Sequence, residues 1–380
     1  MKKHRQSPLL FSLFLVALIL LTFGCNAVNK GGQPSVRVGA NLPLTGELAS
    51  YGQAVMRGVR MAVDEFKQSD PTGPALDFDW QDNAGSPQTA VSIVQQQLLR
   101  APAIYTSGVK PQTAAISQSI NQAGLPQFVW VFDAFINKDT HNNFRTWLSF
   151  KIEPTVFLSY ADSRKSRRVA IAFVQLPNTE EEYFQFVVPG LKKRGLTDRD
   201  ILVDEYALGT KDFRSMALKF RAFHPDLIIL NGFQLDLVGL IRAFRPLGLV
   251  KDGNVIAAYD MLDAAELLKP EESEGIRVAA PVFATQPDLP RAASWRVRFQ
   301  QRYSKAPLYT DAFAYDMGTI IHDAAKRLKL PASSPQWIEA LRATNIEGIT
   351  GPLKFDADND LQTPLEVGVF RGGKLSQAER

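Results

Sequence analysis

VGANLPLTGELASYGQAVMRGVRMAVDEF, residues 38–66, holds the pattern that decides the fold. Val38–Leu42 is a short apolar run that reads as a strand. Val55, Val59, Ala62, Val63 and Phe66 then recur near a 3.6-residue period, which gives one apolar face of a long helix. Between them lie Pro43, Thr45, Gly46, Ser50, Tyr51 and Gly52, more turn-forming and polar residues than a plain connection needs. A loop of this composition between a first strand and a first helix is shaped to meet something.

The same alternation runs outward from this stretch. Strand patterns at Val36–Leu42, Leu76–Gln81, Ala103–Thr106 and Gln127–Val131 are separated by helical patterns, one opened by Ser86-Pro87 and one over Pro111–Ala123. After Pro154 the rhythm repeats. Arg168–Val174, Ile201–Tyr206, Leu227–Leu230 and Val255–Ala258 read as strands. Helices follow at Thr179–Arg194, opened by a Thr179-Glu180-Glu181-Glu182 capping box, and at Phe213–Phe223 and Leu235–Phe244. Alternating βα units imply parallel sheets covered by helices, and two runs of them imply an α/β protein of two doubly wound lobes.

The chain start reads as an address. Met1-Lys2-Lys3-His4-Arg5 is basic and Leu9–Phe23 is an apolar run of 15 residues. That is shorter than the roughly 20 residues of a bilayer span and has the length of a secretory signal. Gly24-Cys25 at its end has the form of a lipidation site, with Phe23 bulky where a small residue is usual; a plain signal peptide is the alternative. Residues 1–24 are therefore expected to be a signal peptide, and 25–35 a lipid-anchored tether. The expected location is the cell envelope, periplasmic or extracytoplasmic. Cys25 is the one cysteine of the 380 residues, so no intrachain disulfide can form.

The formal net charge of +4 belongs mostly to the leader. Without Lys2, Lys3 and Arg5, 40 basic residues face 39 acidic ones, so no basic field points to nucleic acid. The run Arg164-Lys165-Ser166-Arg167-Arg168 reads as a solvated turn before a strand.

Catalytic chemistry finds little support. The sequence has no phosphate-binding glycine loop and no nucleophile elbow, and its only cysteine is at the signal boundary. The histidines, His4, His141, His224 and His322, have no metal-ligand spacing, and His224-Pro225 reads as a surface turn. Asp356, Asp358 and Asp360 alternate like the start of a calcium loop. They lack its glycine and distal glutamate, and read as a hydrated turn. The expectation is a non-enzyme with no cofactor and no metal.

The stretch quoted above, with Val36 and Arg37 before it, resembles the start of the Leu/Ile/Val-type solute-binding proteins of ABC transporters, which have the type I periplasmic-binding fold. Pro43-Leu44-Thr45-Gly46, Tyr51-Gly52 and Arg57-Gly58…Ala62-Val63 match that family in order and spacing. Further matches are Asp82 with Pro87 and Ala90-Val91, Gly124-Leu-Pro, Phe144-Arg145-Thr146, Pro225-Asp226 with Gly232, and Gly248-Leu249. Asp311…Tyr315-Asp316 and Gly348-Ile-Thr-Gly351…Phe355-Asp356 complete the series, which covers nearly all of 36–370.

The resemblance implies lobe 1 over 36–150 plus 281–348 and lobe 2 over 151–280 plus 349–380. Hinge crossovers fall near 147–155, 276–286 and 345–356. It implies a monomeric receptor that captures a small amino-acid-like or amide-like polar ligand by lobe closure. An ABC permease complex would be its partner and a lipid anchor its membrane contact. A sensing role is the alternative, and an envelope enzyme or a ligand-free structural lipoprotein a more distant one.

The implied ligand-binding residues are Tyr51, Thr106, Ser107, Lys110, Thr113, Asp133, Thr179, Phe233 and Asp260, with Asp260 set to pair with a ligand ammonium. Lys110 and Gln112 stand where the family has a carboxylate-binding serine, and Val131-Phe132-Asp133 replaces a small-residue turn. Both departures depart from a simple branched-chain amino-acid site. Tyr51, Phe132, Phe233 and Tyr259 have packing as their other reading, and Thr179 a helix cap.

Overall fold

The computed structural model describes residues 33–133, 142–149, 152–286 and 288–378. The leader, Cys25 and most of the tether lie outside them. The first sheet contains β1 (Ser35–Leu42), β2 (Ala75–Asp82), β3 (Ile104–Gly108), β4 (Gln127–Trp130) and β5 (Asn143–Phe144), all parallel in the order β2-β1-β3-β4-β5. Val36, Val38, Ala40 and Leu42 of β1 are buried, as a strand covered by helices requires. Helix α1 (Ala49–Ser69) lies on one face; α2 (Pro87–Leu98) and α3 (Lys110–Gln122) cover the other through Ala90, Val94, Ile116 and Ile120.

The second sheet has the order β14-β13-β10-β9-β8-β6-β7. Its parallel part is β6 (Val169–Val174), β7 (Ile201–Tyr206), β8 (Leu227–Leu230), β9 (Val255–Ala257) and β10 (Arg277–Pro281). β13 (Leu365–Arg371) and β14 (Lys374–Gln377) close one edge antiparallel. Helix α4 (Glu153–Ser163) precedes β6. After it come α5 (Pro177–Glu182), a π-helical stretch (Tyr183–Val187) and α6 (Val188–Lys193), then α7 (Arg214–Phe223) and α8 (Gln234–Phe244). The chain then returns to the first lobe through α9 (Pro290–Tyr303), α10 (Tyr309–Arg327) and α11 (Ser334–Arg342).

Three differences from the sequence reading have physical causes. The capping box expected at Thr179 is replaced by a helix that starts at Pro177, where proline's fixed φ suits a first turn. Thr179 instead reaches back to accept from the Leu176 N–H at 3.2 Å. Residues from 349 on were expected in the second lobe with a hinge near 345–356. The hairpin β11 (Asn345–Glu347) and β12 (Pro352–Lys354), with Leu353, Phe355 and Leu361, packs into the first core, so the third connection follows Leu361. The Asp356/Asp358/Asp360 turn is not simply hydrated. Asp360 is buried and binds the fully buried Arg145 guanidinium through two hydrogen bonds of 3.0 and 2.6 Å.

The late motifs hold the first lobe to itself. A Cβ on Gly58 would sit 2.2 Å from the Asp311 carbonyl, so α1 and α10 touch only because that residue is glycine. The buried Asp316 carboxylate accepts from the backbone N–H groups of Ile349 and Thr350 at 2.9 and 2.8 Å and from the Thr350 hydroxyl at 2.6 Å.

Candidate functional site

In an open α/β sheet the carboxyl ends of the strands face the ligand crevice, at the point where strand order reverses. Here that point is between β1 and β3, and the Pro43–Gly52 loop leaves it. The Asp82 carboxylate fixes the loop by accepting from the Leu44 and Thr45 N–H groups and the Thr45 hydroxyl at 2.8, 3.2 and 2.7 Å. A Cβ on Gly52 would meet the Pro43 carbonyl at 2.0 Å, so glycine there lets the loop fold back onto α1. Tyr51 is thereby aimed at the second lobe.

Tyr51 meets Phe233, at the start of α8, edge-on with ring centres 5.4 Å apart. Behind it Trp147 packs against four rings: Tyr51 at 6.1 Å, Trp130 at 4.9 Å, Phe132 at 5.3 Å and Tyr309 at 5.6 Å. The aromatic cluster divides the inter-lobe space. On one side a cavity of about 140 Å³ is lined by Lys110, Gln112, Phe132 and Phe233 together with Leu176 and Asn178. A narrower apolar cleft of about 20 Å³ beside it reaches Trp130 and Trp147. On the other side a vestibule of about 290 Å³ is lined by Glu47, Ser50, Lys211 and Asp236. Residues of both lobes line the 140 Å³ cavity and the vestibule.

The polar atoms around the inner cavity fall in two groups. Lys110 pairs with Asp133 in its own lobe and lies 3.8 Å from Glu181 across the cleft. Burial pushes the Glu181 carboxyl up and the Asp133 charge pushes it further, against the pull of Lys110. Gln112 donates its amide to the Gly85 carbonyl, and its own oxygen is buried without a partner. The Trp147 indole N–H, which borders the narrower cleft, is likewise buried and unpartnered.

Asp260 follows β9 and is buried, 4% exposed. It accepts the phenolic hydrogens of Tyr51 and of Tyr309, the latter at 3.2 Å. Both phenols come from the first lobe, and Tyr309 also donates its backbone N–H to Asp263 at 3.1 Å. Burial raises the Asp260 carboxyl to about 7, with the two phenols pulling the other way. Asp260 therefore carries the lobe-to-lobe contact that a ligand ammonium was expected to make.

The other expected residues sit deeper. Thr106 accepts from the Trp130 indole at 3.0 Å. Ser107 and Thr113 hydroxyls are 2.8 Å apart, Ser107 accepts from Gln127 at 2.6 Å and Thr113 donates to the Gly108 carbonyl at 2.8 Å. Neither these three nor Thr179 line the three cavities described. The sequence reading had no role for Trp147 or Tyr309. Among the described residues no cluster of three His, Cys, Asp or Glu side chains is placed to hold a metal ion.

The sequence model of the family described as Periplasmic binding protein matches residues 35–374. The chain belongs to that family. A Leu/Ile/Val-binding protein homolog 2 of Brucella abortus is 25% identical over 235 residues, which cover 59% of this chain and 62% of that protein. Solved structures show the same type I fold at low identity. The branched-chain amino acid transporter substrate-binding protein of Streptococcus pneumoniae, in complex with isoleucine, is 19% identical over 91% of this chain and 99% of its own, with a TM-score of 0.76. An ABC transporter solute-binding protein from R. palustris in complex with benzoate is 17% identical over 90% and 95%, with a TM-score of 0.80. One from Rhodopseudomonas palustris BisB5 in complex with 3,4-dihydroxybenzoic acid is 16% identical over 91% and 96%, with a TM-score of 0.81. The family and these neighbours are solute-binding proteins rather than enzymes.

Proposed function

We propose that this protein is the solute receptor of an ABC importer, working outside the cytoplasm and tethered to the membrane through Cys25. It would capture a small amide-like ligand with an apolar body between its lobes and close by hinge bending at the three connections. The observation that carries this reading is the aromatic chamber built from Tyr51, Trp130, Phe132 and Trp147 of one lobe and Phe233 of the other. Such a chamber suits a flat or branched apolar body. The head group follows from the two buried orphans, an indole N–H that wants an acceptor and a Gln112 oxygen that wants a donor. A carboxamide offers both. An anionic head is disfavoured, because Lys110 already faces both Asp133 and Glu181.

The test is a thermal-shift panel of benzamide, urea, leucine and benzoate on the purified mature protein. Benzamide should give the largest rise in Tm. A leading response to benzoate would overturn the neutral head.

A free amino acid is the second reading, favoured by Asp260. Its ammonium would have to displace the Tyr51 and Tyr309 phenols from the carboxylate. An Asp260→Asn variant separates the two readings, since the amide can still accept from both phenols. With the best ligand of the panel, calorimetry should find less than about a threefold loss of affinity. A truncated ammonium partner would instead cost about 2–5 kcal/mol, roughly 30-fold or more.

The tether is tested separately. Cys25→Ser should move the protein from the membrane fraction to the soluble fraction, and an unchanged membrane fraction would remove lipidation from the account.

A further inference from the structure

Next to the Tyr259–Asp260 turn lies a second group of acids that the ligand reading does not use. Glu153, in the first turn of α4, and Glu182, at the end of α5, are both fully buried. Glu153 accepts the Tyr259 backbone N–H at 2.9 Å through one oxygen. Its other oxygen and both Glu182 oxygens are buried without a donor from any other residue, and the two carboxyls lie within hydrogen-bond reach of each other. Among the described residues no lysine, arginine or histidine forms an ion pair with either acid.

Among the described residues the surroundings offer no counter-charge. Tyr183 follows Glu182 and stacks on Phe173 at 4.7 Å, and Tyr206 lies behind it. The turn after β9 contributes Tyr259 and a further acid, Asp260, which itself feels Asp236 and is felt by Asp263. The Arg145 guanidinium is felt at Tyr259 but is held by Asp360. On β10 and β13, Arg277 is bound to Asp252, and Glu366 to Thr285 and Gln377. Two ionised carboxylates side by side in such a place are excluded by their desolvation and mutual repulsion. Burial raises Glu153 to about 8 and raises Glu182 well above the ordinary carboxylate range, with each other's charge adding to it for Glu182.

We propose that Glu153 and Glu182 hold a shared proton and act as positioning residues, fixing the Tyr259–Asp260 turn whose carboxylate takes the Tyr51 and Tyr309 phenols of the other lobe. The role in positioning rests on the reading of the cleft as the ligand site; the shared proton does not. Loss of the proton would leave two adjacent buried charges and loosen the turn through the Glu153–Tyr259 bond.

The sign of the pH effect follows. Carboxyls whose folded form keeps a proton that the unfolded chain gives up near pH 4.5 stabilise the fold less and less as pH rises toward the folded value. The ligand-free protein should therefore lose several degrees of Tm between pH 6 and pH 8.5. Glu182→Gln, an isosteric neutral replacement, should remove at least half of that fall, as should Glu153→Gln if the first variant does not fold. The pH-dependent part of the Trp147 fluorescence, isolated by comparison with Trp147→Phe, should follow the same profile, because Trp147 reaches Tyr259 through Phe132. An unchanged Tm slope in both Gln variants would overturn the proposal. So would a rise in Tm at pH 8 with sodium or potassium chloride and not with tetramethylammonium chloride, since a metal cation would then occupy the pair. Neither measurement uses a ligand, so failure here is distinguishable from failure of the ligand reading.

Discussion

An Arg145→Met variant should be destabilised by about 3–5 kcal/mol, measured by urea unfolding at pH 7. Arg145 is completely buried and its guanidinium forms two hydrogen bonds with Asp360. It also donates to the carbonyls of Val131 and Asp133. Removing the cation takes from a buried aspartate the guanidinium that binds both of its oxygens, in a place where its charge is costly to keep. The backbone makes the loss more than local. The Arg145 N–H donates to the Asn359 carbonyl at 3.0 Å and its carbonyl accepts from Leu361 at 2.8 Å, so the pair joins one connection between the lobes to another. A second substitution, Asp360→Leu, should restore most of the loss, because an apolar pair of similar volume escapes the desolvation cost. If Arg145→Met alone costs under about 1 kcal/mol, the pair is not what secures this junction.

Phe233→Ala should lower ligand affinity by about 30-fold or more while changing Tm little. Phe233 lies on the second lobe, caps α8 and is only partly buried, so its truncation opens no large core cavity. It nevertheless borders all three spaces around Tyr51 and provides the second lobe's ring in the aromatic chamber. Aromatic anchors at the centre of a desolvated site commonly contribute 2 kcal/mol or more. Calorimetry with the best ligand of the thermal-shift panel reads the effect. Affinity within threefold of the parent would place the ligand elsewhere.

Much of the fold was legible because its signals are local. The apolar alternation of Val36–Leu42 and the helical period of Val55–Phe66 depend on neighbours in the chain, and strands such as Ile201–Tyr206 and Leu227–Leu230 fall where the pattern puts them. The glycines of the opening stretch were legible as motif but not as cause: Gly58 is needed by Asp311, some 250 positions later. Site chemistry was less legible for the same reason. Asp260 stood out as an acid after a strand, yet its partners, Tyr51 and Tyr309, meet it only after the chain has crossed between lobes twice. Trp147 carries no motif at all; its role comes from four rings drawn from three separate segments. Asp360 looked hydrated because alternating aspartates usually are, and only the buried Arg145 opposite changes that.

The central claim is that ligand is held between the lobes and draws them together. Small-angle scattering on the mature protein, alone and saturated with the ligand giving the largest thermal shift, tests it most directly. The account predicts a smaller radius of gyration with ligand, and no such change for Phe233→Ala at the same ligand concentration. Identical profiles for the parent protein with and without a ligand that calorimetry shows to be bound would contradict it.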